Sequence, residues 1–187
     1  MLFTSTPLVL YSSDDVRRTL WELFKAGTER IAITAYVGEG ADEYLAHPKG
    51  IRLICSPTPG ATSPNTLRRL MAKGAVVEFV DALHMKVYWA KNRGTIVTSA
   101  NLSKNAMGIG GLKEAGVLLG PDEVDIERLL AELDRRPAAP ELHRLDVMDK
   151  AYYSKLGCKQ LRKKISYKTW FTLPNREAWK LLLYAEE

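Results

Sequence analysis

The chain has 187 residues, of which 46% are hydrophobic and 26% are charged, and its net charge is +5. These proportions are typical of one globular domain with its own core and a short appendage. They exclude a membrane-spanning helix, because no apolar run approaches the roughly 20 residues that a span needs. The N-terminus has no basic region, and Cys55 and Cys158 match no metal-binding spacing. We therefore expect no signal peptide, a cytoplasmic location, reduced thiols and no metal or other cofactor.

The first eighty residues alternate between short strands rich in β-branched residues and amphipathic helices. Strands are predicted over 8–11, 30–36, 51–56 and 75–80, and helices over 13–26, 41–46 and 65–74. Asn65 is the expected N-cap of the third helix. This alternation predicts an α/β domain whose sheet is largely parallel in this region.

The pattern changes after residue 80, where two predicted strands follow each other with no helix between them. They cover 83–90 and 95–101 and are separated by the short polar linker Lys91–Gly94, which predicts a hairpin. A strand over 114–119 and a helix over 122–135 follow, so the expected fold is a mixed sheet flanked by helices. The proline-rich segment at 135–141 divides a domain over 1–136 from a linker over 137–141 and an extension over 142–187. Within this extension, residues 165–172 alternate like a strand and 177–184 like a helix.

Four polar side chains lie at corresponding positions of the hairpin. A turn centred in the linker places His84 opposite Asn101 and Lys86 opposite Ser99, within about 8 Å of one another. An imidazole can attack phosphorus or transfer a proton, and an ammonium can stabilise negative charge on phosphoryl oxygens. A hydroxyl and a carboxamide can orient the same oxygens. The set therefore predicts one site that handles phosphodiesters.

The segments His84-Met-Lys86 and Thr98-Ser-Ala-Asn101 resemble the signature of the phospholipase D-like superfamily, which is His-x-Lys, four residues, Asp, six residues, then Gly-Ser-x-Asn. Glu114 matches a glutamate that often follows in that family. The resemblance covers most of residues 5–135 and implies the family's α/β fold and a metal-independent phosphodiesterase. Two positions differ from the signature: Lys91 stands at the aspartate and Thr98 at the glycine. We interpret Lys91 as a turn residue, although the change leaves room for an inactive, binding-only relative.

The resemblance also implies a mechanism that needs two copies of the motif, and this chain has one. Neither His47 nor His143 has a lysine two residues later or a Ser-x-Asn partner. A homodimer with a shared active site is therefore expected. In it, one His84 would attack phosphorus, forming a phosphohistidine, and the other would protonate the leaving oxygen. Lys86 and Asn101 would hold the phosphoryl oxygens, Ser99 would support them, and Glu114 would orient the histidine.

The extension is basic and aromatic, which favours nucleic acid as the partner and no membrane. Its candidate nucleic-acid-binding residues are Lys155, Lys159, Arg162, Lys163, Lys164 and Lys168, interleaved with Tyr152, Tyr153, Tyr167 and Trp170. A solvated helix face is the simpler interpretation of such a charge run. Three functions therefore remain open: a homodimeric nuclease that cleaves DNA or RNA, a catalytically inactive nucleic-acid-binding module, and a phospholipase or small-molecule phosphodiesterase.

Overall fold

A computed structural model describes residues 7–164, and it describes side chains as far as residue 156. The strands are β1 (Leu8–Leu10), β2 (Arg30–Thr34), β3 (Ile51–Cys55), β4 (Val76–Phe79), β5 (Lys86–Ala90), β6 (Gly94–Thr98), β7 (Gly116–Leu119) and β8 (Arg136–Pro137). The helices are α1 (Ser13–Ala26), α2 (Pro64–Ala72), α3 (Lys104–Met107), α4 (Ile126–Ala131) and α5 (Leu142–Lys164). Single 3₁₀ turns lie at Ala41–Glu43 and Ala139–Glu141.

The strands of this region form one mixed sheet in the order β1-β7-β6-β5-β2-β3-β4-β8. Strands β2, β3 and β4 run parallel to one another, and β5 joins β2 antiparallel. The expected α/β fold with a mixed sheet flanked by helices is confirmed. Strand β1 does not join the parallel strands, because β3 and β5 occupy the two sides of β2. Strand β1 instead pairs antiparallel with β7 at the far edge of the sheet.

Helices cover the two faces of the sheet unequally, because alternate residues of each strand point to opposite sides. On one face, Ala32 of β2 belongs to a large core cluster that also contains buried side chains of α1, α2, α3 and α5. On the other face, Ile31 and Ile33 pack in a smaller cluster with Ile126 and Leu130 of α4. The sheet is therefore the middle layer of the domain, and its strand ends are where loops can carry function.

Several boundaries differ from the sequence prediction for local reasons. The N-cap of α2 lies two residues earlier than expected, because Ser63, and not Asn65, accepts a capping hydrogen bond from the Thr66 N–H. Pro64 occupies the first helical turn, where a missing N–H costs nothing. The predicted helices at 41–46 and 122–135 are shortened to the 3₁₀ turn and to α4.

The register of the β5–β6 hairpin is one residue away from the prediction. Ala90 pairs with Gly94 and Val87 with Val97, so three residues form the loop, and the Arg93 N–H donates to the Ala90 carbonyl at 3.0 Å. The turn centred in the linker implies a loop of two or four residues, and an odd loop shifts every partner by one position relative to it. Continued beyond the paired residues, this register places Lys86 opposite Thr98. The predicted pairs of His84 with Asn101 and Lys86 with Ser99 are therefore wrong.

The segment predicted as a linker is packed against the domain. Strand β8 pairs with β4, and Leu142 and Leu145 at the start of α5 belong to the large core cluster. The division at 137–141 stays a prediction, as does an independent extension. The predicted strand at 165–172 and helix at 177–184 lie outside the described residues. Among residues 7–164, no helix is both long and apolar enough to cross a membrane.

Candidate active site

The site residues predicted from the sequence lie in or beside the loops at the same end of two central strands, β5 and β6. Strand β5 begins only at Lys86 and β6 ends at Thr98, so His84, Ser99 and Asn101 lie in the adjoining loops. Antiparallel neighbours start and finish at the same edge, and the loop before β5 therefore meets the loop after β6. The four side chains converge because the strands end there, and not through the facing pairs that a longer hairpin would provide.

His84 and Lys86 are in direct contact. The Lys86 ammonium lies 3.1 Å from His84 Nε2 and donates to the His84 carbonyl at 2.9 Å. An ammonium has three donors and no acceptor, so Nε2 must accept, and the neutral imidazole carries its proton on Nδ1. His84 is exposed to solvent, whereas Lys86 is only 9% exposed. A buried cation thus orients a solvent-facing imidazole.

The Lys86 ammonium has no carboxylate within ion-pair distance among the described residues. Burial lowers the pKa of Lys86 below its ordinary value, and the nearby Glu114 carboxylate opposes that shift only in part. A cation that is desolvated and incompletely neutralised favours an anionic partner. The site is therefore electrostatically suited to a phosphoryl group.

Ser99 and Glu114 form a second pair at the same edge. The Ser99 hydroxyl donates to the Glu114 carboxylate, and the Ala115 N–H donates to the same hydroxyl at 3.2 Å. A backbone hydrogen bond from Ser99 to Ala115 at 3.1 Å fixes the loop on which both lie. The described residues show no hydrogen bond between Glu114 and His84, and the expected role of Glu114 in orienting the histidine stays a prediction.

Asn101 is oriented by the end of β2. Its Oδ1 accepts from the Tyr36 N–H at 3.2 Å, which fixes the oxygen toward the backbone. The NH₂ group consequently points away from that donor, where it can bind an oxygen of a ligand. Lys86 lies opposite Thr34 on β2, so the end of β2 and the start of β5 adjoin.

Tyr36 belongs to this site, although no sequence motif marks it. Its ring meets the imidazole of His84 edge to face, with centroids 6.5 Å apart and an interplanar angle of 73°. It is half-buried and also supplies the N–H that holds Asn101. The only available signal is its place directly after a central strand, at the edge where the hairpin opens.

The loop that carries His84 is anchored by a distant arginine. Arg136 of β8 donates to the Asp81 carboxylate at 2.9 Å and also to Glu141, which precedes α5. The pKa of Arg136 is raised, first by the hydrogen bond to Asp81 and then by the one to Glu141. Ala82 has a left-handed backbone with φ of 54°. The ion pairs thus hold a strained turn two residues before His84.

The two departures from the family signature have structural explanations. Lys91 lies in the turn and forms an ion pair with Glu29, about 16 Å from Lys86 along β5. Thr98 pairs with Gly116 on β7, and a Cβ on that glycine would lie 2.9 Å from the Thr98 Cβ. The larger residue on β6 is therefore accommodated by a small one on its neighbour.

The candidate nucleic-acid-binding residues are described only in part. Lys155 is exposed on α5. Lys159, Arg162, Lys163 and Lys164 belong to the same helix, but their side chains are outside the described region, as is Lys168 entirely. Among the described residues, no group of three or more His, Cys, Asp or Glu could hold a metal ion.

An open groove of about 610 Å³ adjoins the site. Tyr36 and Asn101 of the candidate site line this groove, together with Gly60, Lys104 and Ile109. Most of the other lining residues are small, so a flat ring or a sugar can enter without displacing side chains.

No protein-family model matches the sequence, and no curated protein matches it significantly. Solved structures do match. Nuc, a phospholipase D family member from Salmonella typhimurium, has a TM-score of 0.51 and 13% identity over 71% of this chain and 99% of that chain. Phosphatidylserine synthase from Haemophilus influenzae has a TM-score of 0.56 and 10% identity over 80% of this chain and 44% of that chain. The chain therefore has the phospholipase D-like fold that the sequence motifs implied.

Proposed function

Starting from this phospholipase D-like fold, we propose that the protein is a metal-independent phosphodiesterase that cleaves DNA or RNA as a homodimer. The observation that carries the proposal is the contact between the exposed His84 imidazole and the buried Lys86 ammonium. Among the described residues, no carboxylate forms an ion pair with this ammonium. The nucleophilic nitrogen and the cation that would stabilise the phosphoryl oxygens are thus adjacent, and transfer of the Lys86 hydrogen bond to a bound phosphate would release the Nε2 lone pair for attack. Asn101, whose amide NH₂ is free of the Tyr36 contact, completes a set of phosphate-oxygen ligands.

The proposed reaction has two displacement steps. In the first, the His84 imidazole attacks phosphorus, a P–N bond forms, the P–O bond to the leaving group breaks, and the departing oxygen takes a proton. In the second, water attacks the phosphohistidine and loses a proton, while the P–N bond breaks and the imidazole is released. Lys86 stabilises the charge on the non-bridging oxygens in both steps.

Both steps need a second proton-transferring group. Among the described residues, His47 lies near Arg30 at the other end of β2 and His143 is exposed on α5, and neither makes a hydrogen bond to a residue of the site. The second imidazole would be the partner subunit's His84, brought to the same phosphate by a twofold axis. It protonates the leaving oxygen and then accepts the proton of the attacking water.

Nucleic acid is the proposed substrate because α5, which contacts the groove residue Gly60 through Asp149, is rich in basic residues. Lys155 is exposed on this helix, and the binding set would extend through Lys159, Arg162, Lys163, Lys164 and Lys168. Contacts of this kind bind phosphates through release of counterions. Affinity should accordingly fall steeply as salt concentration rises.

The proposal is tested by cleavage in excess EDTA. Labelled single- and double-stranded DNA and RNA are incubated with the wild-type protein, with His84→Ala and with His47→Ala, a matched control at the other end of β2. We expect cleavage by the wild type and His47→Ala and none by His84→Ala. Loss of all activity on chelation would contradict the mechanism. Tight binding without cleavage would favour the inactive binding module, and cleavage of phospholipid or small phosphodiesters alone would favour the third function.

The shared site is tested by mixing subunits. Wild-type and His84→Ala chains are co-refolded in varying ratios, and activity is measured against the wild-type fraction. A site built from two imidazoles predicts that activity follows the square of that fraction, because only wild-type pairs are complete. A linear dependence, or full activity in a species that sediments as a monomer, excludes the shared site.

A further inference from the structure

We infer that α5 carries an aromatic platform that binds unpaired nucleic acid beside the groove, formed by Tyr152 and Tyr153. This inference rests on the nucleic-acid part of the proposed function and names the strand state that the protein binds.

Helix α5 is fixed to the domain by its first turns and then becomes exposed. Leu142 and Leu145 are buried in the core, and Asp146 pairs with Arg68 of α2 at 3.5 Å. The Gly60 N–H donates to the Asp149 carboxylate at 2.7 Å. Residues 151–156, by contrast, are all exposed. The helix therefore presents its tyrosines from a rigid base, so that ordering them costs little entropy on binding.

Tyr152 lies against the rim of the groove. Gly60 has a left-handed backbone with φ of 77°, and a Cβ placed on it would come within 2.2 Å of the Tyr152 ring. The same glycine lines the groove, as do Tyr36 and Asn101 of the candidate site. Because Gly60 both contacts the Tyr152 ring and lines the groove, the ring lies next to the groove.

The two tyrosines keep their rings available despite this packing. Tyr152 is 45% exposed and Tyr153 is 55% exposed, and their centroids lie 5.5 Å apart at an interplanar angle of 83°. The two rings therefore meet edge to face, a contact in which the edge of one ring covers part of one face of the other. The exposed remainder of each ring can offer a face to a base.

The positive charge of α5 favours binding of an anionic partner. The helix contains seven basic and two acidic residues, and both acidic ones are engaged with the domain, Asp146 with Arg68 and Asp149 with Gly60. Exposed apolar side chains such as Val147 also lie on α5, but a strongly basic helix disfavours a second copy of itself. Aromatic faces interleaved with cations match single-stranded nucleic acid.

The strand state follows from the chemistry of stacking. An aromatic side chain contributes about 1–3 kcal/mol per stacked base, roughly a 5- to 150-fold effect on affinity, and only where the base face is open. In a duplex both faces of each base are covered by neighbours. Tyr152 and Tyr153 should therefore favour a single strand, a loop or a frayed end over intact duplex.

The test measures binding by full-length protein in the His84→Ala background, in which the substrate stays intact. Fluorescence anisotropy compares a labelled 20-nucleotide single strand with its duplex for Tyr152→Leu, Tyr152→Phe and Tyr153→Leu. Trp21→Leu is the matched control, because Trp21 is an exposed aromatic beside Arg17 and Arg18 on α1, away from the groove. We expect Tyr152→Leu to weaken single-strand binding at least fivefold and duplex binding less than twofold, with Tyr152→Phe and Trp21→Leu unchanged.

Tyr153→Leu covers the case in which Tyr152→Leu detaches the helix, because Tyr153 does not pack on Gly60. Unchanged single-strand affinity in both variants overturns the inference, and so does an equal loss for duplex. A shift of either variant to monomer in sedimentation also overturns it, because the tyrosines would then belong to a contact between chains. Wild-type cleavage is scored separately. Cleavage with unaltered binding refutes the platform alone, whereas tyrosine-dependent binding without cleavage refutes the catalytic proposal alone.

Discussion

The β5–β6 hairpin has two polar ends whose side chains are satisfied in opposite ways. At the turn, Lys91 pairs with Glu29 through its side chain and its N–H donates to the Glu29 carbonyl at 3.0 Å. At the open end, the Lys86 ammonium contacts only His84, and His84 is exposed. The same two strands thus support a turn whose polar groups have partners and an open end whose buried cation has no carboxylate within ion-pair distance among the described residues.

This difference separates stability from function. Polar groups with complete partners stabilise the fold, whereas a buried cation without a counter-charge costs stability and is retained where a ligand supplies the charge. Substitutions at the open end should therefore abolish activity with little effect on folding. Substitutions at the turn should do the reverse.

The largest effect is expected for His84→Ala. Loss of the imidazole from both subunits should lower the cleavage rate by more than about 10⁴-fold, because nucleophile and acid disappear together. The free energy of unfolding should change by less than about 0.5 kcal/mol, because the side chain is exposed. Single-turnover cleavage and urea unfolding measure the two quantities. A stability loss as large as that of a core residue would show that this end is structural as well.

Lys86→Met should lower the cleavage rate by roughly 10²–10³-fold, because the phosphoryl oxygens lose their main cation. Its stability should equal or exceed that of the wild type, since methionine is apolar and of similar length and removes a desolvated charge. Thermal unfolding beside the cleavage assay checks both. A strongly destabilised Lys86→Met would show that the ammonium is needed for folding.

The pH dependence of Lys86 gives a second readout with a definite sign. Burial lowers its folded-state pKa below the ordinary 10.5. Between the two values the unfolded chain binds more protons than the folded one, so stability should rise as pH rises through that window. Cleavage should fall over the same range, as the ammonium loses its proton. Lys86→Arg, which stays charged, should abolish both trends, and opposite movement of either curve contradicts this account.

At the turn, Gly94→Ala should destabilise the fold by about 2–4 kcal/mol, or roughly 5–15 °C in Tm. Gly94 has a φ of 112°, and a Cβ there would lie 2.3 Å from the Leu119 carbonyl oxygen. The cleavage rate per folded molecule should stay within twofold, because this position is at the opposite end of the strands from the site. Active-site titration corrects for the folded fraction. A large loss in the corrected cleavage rate would show that the turn of the hairpin also affects the reaction at its open end.

The smallest effect is expected for Lys91→Asp, which restores the aspartate of the family signature. It replaces an exposed ion pair with two like charges and should cost under about 1 kcal/mol, without raising the cleavage rate. Combination with Glu29→Lys should recover the loss. A substantial gain in activity from Lys91→Asp alone would mean that this turn acts on the site after all.

The sequence predicted best what depends on local patterns. Alternation of β-branched strands and amphipathic helices over 8–80 predicted the layers, and the short linker at Lys91 predicted the hairpin. The spacing of His84, Lys86, Ser99 and Asn101 identified residues that the fold does gather at one edge. These features follow from periodicity and turn chemistry, which short stretches of chain carry by themselves.

Local sequence patterns did not predict strand pairing correctly where the pairing depends on a single loop residue or on a segment distant in the chain. A three-residue loop in place of an even one moved the whole hairpin register, and neither hydrophobic alternation nor glycine at position 94 distinguishes the two. The edge position of β1 depended on which strands had already taken the sides of β2. Thr98 opposite Gly116 is likewise a pairing that no motif contains.

The amino-acid sequence by itself determined the elements, the hairpin and the set of polar residues that form the candidate site. Only the tertiary structure decided the hydrogen-bond partners within that set: Lys86 with His84, Ser99 with Glu114, and Asn101 with Tyr36. The physical reason is that periodicity is encoded along a segment, whereas hydrogen-bond partners depend on where separate strands end. The loop after β6, for example, is held by Thr34 of β2, whose hydroxyl donates to Asn101 Oδ1 and accepts from the Leu102 N–H, 67 and 68 residues away in the chain.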